Sequence, residues 1–222
     1  MRPLPDSPTW PTWRTWTLLV CLATLGANLN LPAAEASPTQ TPTQTIKHTI
    51  GELLRVLDNK ELKAPGRAED RRSAIERVVR SRVSYEEMAK RALGTPWTSL
   101  TLQERQEFVD LFVELLRDAF AGRITDYSGE QVVYLGEQFG ESLAEVRTRL
   151  VGRKTDTEVD FHVVEAGGEW LVFDVVIDGA SIVSNYRAQF TKVMKEVSYP
   201  GLLTQMRQRS LTIKRFEISP PQ

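Results

Sequence analysis

The spacing of the apolar residues of this chain changes near Gly129. Before that point they recur every three or four residues, as in amphipathic helices, the first of which is predicted over residues 44–60. After it, four runs alternate between apolar and polar residues or are apolar nearly throughout, and short spacers join them. The pattern predicts an α+β fold, with helices packed on a curved four-stranded antiparallel sheet that can enclose an apolar cavity. The four predicted strands are residues 130–137, 142–152, 157–165 and 169–179.

Two capping boxes mark where helices begin. Ser84 with Glu87, and Thr101 with Glu104, match the pattern in which the two side chains bond to each other's backbone amides. The second box opens the longest predicted helix, residues 102–124, with a stripe of large apolar side chains along one side. At ~1.5 Å per residue this helix is about 35 Å long, so it must cross the whole fold.

The first 36 residues have the parts of a secretory signal peptide. Arg2 and Arg14 are positively charged, residues 16–31 are largely apolar, and residues 34–36 place alanines at a cleavage site. An uncleaved membrane anchor is the alternative, although this apolar stretch is short for a membrane span. We therefore predict an exported chain with a signal peptide over 1–36, a disordered lead-in over 37–45, a single folded domain over 46–215 and a flexible tail over 216–222.

Charge and cysteine content argue against several classes of function. The formal net charge is −1 and no run of like charges occurs, so we expect no nucleic-acid partner. Cys21, the single cysteine, lies in the predicted signal peptide, which leaves the mature chain without disulfides or a thiol nucleophile. His48 and His162 have no metal-ligand spacing. With no phosphate-binding loop or nucleophile motif either, we predict no catalytic residue, metal or cofactor.

A crowded polar segment follows the last predicted strand. Gly179 ends that strand, and Ser181 can cap the helix that follows. Asp174 lies inside an otherwise apolar strand, and together with Gly179 and Ser181 we assign it a structural role, because a buried carboxylate must be paired. The polar side chains of the new helix are open to two interpretations, contacts to a ligand headgroup or the ordinary solvent-facing residues of a helix start. These side chains are Asn185, Tyr186, Arg187 and Gln189.

Three segments resemble one known family. They are "SYEEMAKRALGTPWTSLTLQERQEFVDLFVELL", "EVDFHVVEAGGEWLVFDVVIDGASIVSNYRAQF" and "GLLTQMR". Together they resemble the periplasmic phospholipid-binding MlaC family, also called the toluene-tolerance family, over roughly residues 45–210. The Pro/Thr-rich lead-in contributes nothing to this resemblance.

The resemblance implies a carrier rather than an enzyme. Members of that family bind phospholipid in an NTF2-like cavity and shuttle it across the periplasm. Their partners are an outer-membrane lipoprotein and an inner-membrane ABC transporter with an MCE-domain subunit. The apolar residues of the helices and strands are then the candidate lipid-binding residues: Tyr85, Met88, Leu93, Trp97, Phe108, Phe112, Leu115, Phe120, Val146, Leu150, Val159, Phe161, Val163, Phe173, Val175, Ile182, Val183, Tyr186 and Phe190.

Three alternatives stay open. A related branch of the family accompanies hopanoid synthesis, so a polycyclic lipid is an alternative cargo. An isomerase-like enzyme on the same kind of fold is a second, because Tyr186 and Asp174 are the residue types that such a site places in an apolar pocket. A periplasmic scaffold without ligand is the third, with the apolar stripe of the long helix as plain core.

Export gives the first testable prediction. The mature protein should begin near Ser37 and be soluble, because cleavage removes the apolar stretch. The intact mass of the protein recovered from the periplasm of the producing cell measures the start of the chain. A product that keeps residues 10–16 and stays in the membrane fraction would show an uncleaved anchor instead.

Overall fold

A computed structural model describes residues 40–120, 129–152 and 155–208. The predicted signal peptide and flexible tail, and residues 121–124 of the predicted long helix, lie outside these ranges. Helices precede and follow an antiparallel sheet, which confirms the α+β class. The elements in chain order are α1 (Pro42–Asp58), α2 (Ala68–Arg80), α3 (Tyr85–Leu93), a 3₁₀ turn (Thr95–Ser99), α4 (Leu102–Phe120), β1 (Gln131–Phe139), β2 (Leu143–Val151), β3 (Thr157–Ala166), β4 (Glu169–Ile177), β5 (Ala180–Ser181) and α5 (Ile182–Arg207).

The first helix begins at Pro42, two residues before the predicted start, so part of the predicted disordered lead-in is helical. Thr41 and Gln44 form a capping box that was not predicted. Gln44 N donates to Thr41 Oγ1 over 3.2 Å, and Thr41 N donates to Gln44 Oε1 over 3.0 Å. Thr43 then ties the helix to the sheet, because its backbone N and its hydroxyl both donate to Glu137 of β1, over 2.9 and 2.6 Å.

Of the two predicted capping boxes, one is confirmed and one is wrong. Thr101 N donates to Glu104 Oε2 over 2.8 Å, and Glu104 N donates to Thr101 Oγ1 over 3.3 Å. Ser84 does stand at the N-cap of α3, but its side chain makes no capping hydrogen bond. Its backbone N donates instead to Val172 O of β4 over 2.9 Å, and Glu87 pairs with two cationic side chains of its own helix. The residues just before α3 pair with β4 as a strand would, and this pairing holds the Ser84 backbone against β4.

The sheet has five strands in the order β1-β2-β3-β4-β5, not the four that were predicted. The fifth is only two residues long, too short to show an alternating pattern. A tight turn joins it to β4, with Asp178 at φ 47° and Gly179 at φ 80°. Asp-Gly with both residues at positive φ is the hairpin turn that matches strand twist. Because residues 82–84 also pair with β4 at Val172, this apolar strand has backbone partners on both edges.

The core has two parts. The larger part lies among α3, α4, β4 and α5 and is rich in aromatic rings, with Phe112 and Tyr186 centroids 5.2 Å apart and Phe108 and Phe190 centroids 5.6 Å apart, both edge-on. The smaller part lies between α1 and the sheet, around Ile46. Among the described residues, no helix has both the length and the apolar character that a membrane span requires.

The aromatic core leads to a prediction about stability. Phe112 is fully buried among three other rings, so Phe112→Ala should lower the free energy of unfolding by about 3–5 kcal/mol, as large-to-small changes in cores do. Phe139→Ala is the matched control, because Phe139 is 61% exposed and should cost less than about 1 kcal/mol. Urea unfolding measures both. Equal losses for the two variants would mean that the aromatic rings are not the main core.

Candidate functional site

A cavity of about 410 Å³ is bounded by α2, α3, α4, β4 and the start of α5. This volume lies within the range of about 300–1,000 Å³ that is usual for small-molecule pockets. The lining is mainly aliphatic, so the cavity offers a ligand few hydrogen-bonding groups and much apolar contact. Its aliphatic lining residues are Ala68, Ile75, Val79, Val83, Met88, Val113, Leu116, Val172, Val175, Ile177 and Ile182.

A bulge in β4 shapes one wall of the cavity. Val163 of β3 pairs with Val172, and the preceding residue, His162, pairs with Asp174. Phe173 is therefore an extra residue in β4 that has no partner in β3. Side chains alternate along a regular strand, and Val172 and Val175 would then face opposite sides. The extra residue resets the alternation, as bulges do, and both valines line the cavity together with Ile177.

The carboxylate of Asp174 holds β4 to the start of α5. Its Oδ1 accepts hydrogen bonds from the backbone N of Val175 over 2.9 Å and of Val183 over 3.0 Å, and its Oδ2 accepts one from the Ser181 hydroxyl. Ser181 Oγ in turn accepts from Ser184 N over 2.9 Å and so caps α5. The backbone partners agree with the predicted structural role of Asp174. The network positions the first turn of α5, where Ile182 meets the cavity.

Charged and polar side chains also line the cavity. Glu76 of α2 forms an ion pair with Arg117 of α4, with 3.0 Å between Oε1 and Nε, and this pair links the two helices. Tyr85 is half-buried, and burial raises the pKa of its phenol, an effect that the positive charge of Arg80 opposes. Its hydroxyl therefore remains a hydrogen-bond donor at neutral pH. The other lining arginines are Arg71 and Arg72, both on α2.

Four of the predicted lipid-binding residues line this cavity: Tyr85, Met88, Val175 and Ile182. Most of the others lie in the two cores, where their rings and branched side chains pack against each other. Leu93, Trp97, Phe108, Phe112, Leu115, Phe173, Val183, Tyr186 and Phe190 belong to the aromatic core, and Val146, Phe161 and Val163 belong to the core under α1. Leu150 is half-buried and Val159 buried, neither in the cavity wall, and the Phe120 side chain lies outside the described residues.

The polar segment at the start of α5 does not reach the cavity. Asn185, Arg187 and Gln189 are absent from its lining, and Arg187 lies against Gly94 at the end of α3. Tyr186 is buried in the aromatic core, and this burial raises its pKa to about 12. These positions favour the interpretation as a helix start. The isomerase-like alternative requires Tyr186 and Asp174 to face an apolar pocket, and neither residue lines the cavity.

The contribution of α2 to the cavity wall was not predicted from the sequence. The available signal was the narrow apolar row of Ile75, Val79 and Val83, flanked by charged residues on both sides. Such a row is too narrow for a core helix but fits one wall of a partly open cavity. The bulge in β4 had no comparable signal, because its strand is apolar on both faces. Within the described ranges, no three His, Cys, Asp or Glu side chains stand together as a metal site would require.

Comparisons with known proteins agree with this geometry. The family model described as MlaC protein matches residues 47–208. The intermembrane phospholipid transport system binding protein MlaC of Haemophilus influenzae is 22% identical over 132 residues, which are 57% of this chain and 62% of that protein. A solved structure of a phospholipid-binding protein from Ralstonia solanacearum in complex with a phospholipid has a TM-score of 0.68 at 21% identity, covering 77% of this chain and 97% of that one. The structural likeness shows that the fold is shared.

The Asp174 network gives a third prediction. Asp174→Ala leaves two backbone amides and the Ser181 hydroxyl without their acceptor, so the free energy of unfolding should fall by about 3 kcal/mol. Asp174→Asn keeps one acceptor oxygen, so its loss of unfolding free energy should lie between zero and that of Asp174→Ala. Asp110→Ala on the exposed side of α4 is the control and should change stability by less than about 0.5 kcal/mol. Chemical unfolding of all three decides; if Asp174→Ala behaves like the control, the carboxylate does not hold α5 in place.

Proposed function

The chain belongs to the MlaC family, and we propose that it carries phospholipid through the periplasm with the acyl chains in the apolar cavity. The observation that carries the proposal is the cavity itself, whose wall is formed by aliphatic side chains of five elements. The Haemophilus influenzae relative is named for intermembrane phospholipid transport, and the Ralstonia solanacearum structure contains a phospholipid. The chain spans about 62% of the length of the curated relative, so the substrate is part of the proposal.

The physical need for a carrier follows from the cost of exposing acyl chains to water. Two chains contain about 30 methylenes, and each contributes ~0.8 kcal/mol when it leaves water. A phospholipid therefore crosses an aqueous space only when a protein covers its chains. A wall of aliphatic side chains is similar to the interior of a bilayer, so transfer between membrane and carrier lies near balance and is reversible.

The arrangement of polar groups supports binding rather than catalysis. Glu76 is the one acid in the cavity lining that the structure describes, and Arg117 pairs with it. Among the described residues, the lining contains no histidine, serine or cysteine to act as a base or nucleophile. A carrier requires neither, since it makes and breaks no covalent bond.

The compartment and the partners extend the proposal. Residues 1–36 have the pattern of a signal peptide, which supports export to the periplasm. The resemblance to the MlaC family supports an inner-membrane ABC transporter with an MCE-domain subunit and an outer-membrane lipoprotein as the donor and acceptor of lipid. A carrier of this kind must bind each partner in turn and release its lipid to one of them.

A carboxylate in the cavity provides the fourth prediction. Ile182→Glu places a charge against the acyl chains, which costs several kcal/mol or forces the group to protonate, so bound lipid should fall at least about tenfold. The fold should survive, because water can enter the cavity around the new charge. Mass spectrometry of organic extracts from the purified protein measures lipid per protein, and circular dichroism measures folding.

Val183→Glu is the matched control for that variant. It places the same group one residue further along the first turn of α5, but Val183 faces the packed aromatic core and not the cavity. We expect Val183→Glu to lose much more stability than Ile182→Glu. Folded wild-type protein that repeatedly contains no lipid would favour the scaffold alternative, and a polycyclic lipid in the extract would replace phospholipid as the cargo.

A further inference from the structure

We propose that the mouth of the cavity selects phospholipids with a net negative headgroup, whose phosphate is bound by Arg71 and Arg72 of α2. The proposal rests on the proposed function, since it concerns the headgroup of the lipid whose acyl chains fill the same cavity. The chemistry recognised is a phosphate group without a compensating cation. Phosphatidylglycerol has such a headgroup, whereas phosphatidylethanolamine has an ammonium beside its phosphate.

The first observation is the charge of the lining. The cavity is lined by four arginines and one glutamate, a formal excess of three positive charges. The whole chain has a formal net charge of −1, so this excess is local. Glu76 and Arg117 neutralise each other at 3.0 Å. The remaining excess therefore lies on three guanidinium groups of a single helix.

The second observation is the arrangement of these groups along α2. Residues four apart lie on one side of a helix, so Arg71, Ile75 and Val79 form one row, and Arg72 and Arg80 belong to the adjacent row. The cavity lining contains both rows. An acyl chain that lies against Ile75 and Val79 therefore has the side chains of Arg71 and Arg72 beside it in the same lining.

The third observation is that, among the residues that the structure describes, these guanidinium groups form no close ion pair. Arg71 Nε is buried and has no hydrogen-bond partner in the part of the chain that the structure describes. Arg72 Nη1 lies 3.7 Å from Glu69 Oε2, and both side chains are exposed. Buried donors are normally satisfied, and a guanidinium group matches phosphate oxygens with two parallel hydrogen bonds. A phosphate that lies against the other nitrogens of these guanidinium groups would supply two acceptor oxygens.

A zwitterionic headgroup fits this mouth less well. Its ammonium would stand beside guanidinium groups of the same charge, and like charges repel. Glu76, the acid at the mouth, is already paired with Arg117. Lipids of equal acyl chains should therefore bind in the order set by the net charge of the headgroup.

A competition experiment tests this selection. Lipid-free mature protein is incubated with vesicles that contain equal amounts of phosphatidylglycerol and phosphatidylethanolamine with identical acyl chains, then recovered and extracted for mass spectrometry. We expect the bound ratio to favour phosphatidylglycerol at least about tenfold. In Arg71→Gln/Arg72→Gln the ratio should move most of the way to that of the vesicles.

Arg77→Gln is the matched control, because Arg77 is on the same helix but does not line this cavity. It should keep the wild-type ratio. Equal uptake of both lipids by the wild-type protein would overturn the headgroup proposal and leave the carrier intact, whereas no uptake of either lipid would refute the carrier itself. A double variant that loses both lipids alike would show that the arginines keep the cavity open and do not select the headgroup.

The source of the phosphate is tested with soluble compounds. Inorganic phosphate and glycerol 3-phosphate are added to the lipid-free protein by isothermal titration. Because they lack acyl chains, their dissociation constants should be at least about 100-fold higher than that of the phospholipid. Tight binding of either compound that is lost in the Arg71→Gln/Arg72→Gln variant would identify a site for small phosphates and overturn the assignment to a lipid headgroup.

Discussion

The carboxylate of Asp174 is the interaction on which the rest of the site depends. A buried carboxylate is costly unless hydrogen bonds replace its hydration, and here two backbone amides and one hydroxyl do so. These donors come from both sides of the tight turn between β4 and α5. One side chain therefore fixes the angle at which α5 leaves the sheet. That angle directs Tyr186 and Phe190 into the aromatic core and leaves Ile182 at the cavity.

The aromatic core explains how a small domain can keep an apolar cavity. Side chains that border an empty apolar cavity lose van der Waals contacts, and this loss lowers the stability of the fold. Other parts of the fold must compensate for it. Phe108, Phe112, Tyr186 and Phe190 form a dense cluster directly beside the cavity, and their edge-on contacts stiffen α4 and α5. The two kinds of apolar residue therefore have different roles. Aromatic residues stabilise the fold, and aliphatic residues of α2 and β4 line the cavity.

Much of the fold follows from local patterns in the sequence. The change from helical to alternating spacing predicted the helices and the long strands, and Thr101 with Glu104 marked the start of α4 correctly. The cavity wall was harder to predict, because it depends on where elements meet. The bulge at Phe173 changes which side of β4 faces the cavity, and bulges have little sequence signature within a strand that is apolar throughout. Large aromatic residues were assigned to the cavity, although large rings more often fill a core than line a space.

Few residues of α2 are buried, and this links the stability of the fold to what the cavity contains. Only Ala74 and Ile75 of this helix are buried, and its inner row borders the cavity rather than another element. Whatever fills the cavity would complete the packing of α2, as a side chain of the protein would. By mass action, a molecule that binds only the folded state raises the free energy of unfolding with its concentration. The thermal midpoint of such a protein thus reports how much of its population is occupied, and amide hydrogen exchange in α2 would reveal the same state residue by residue.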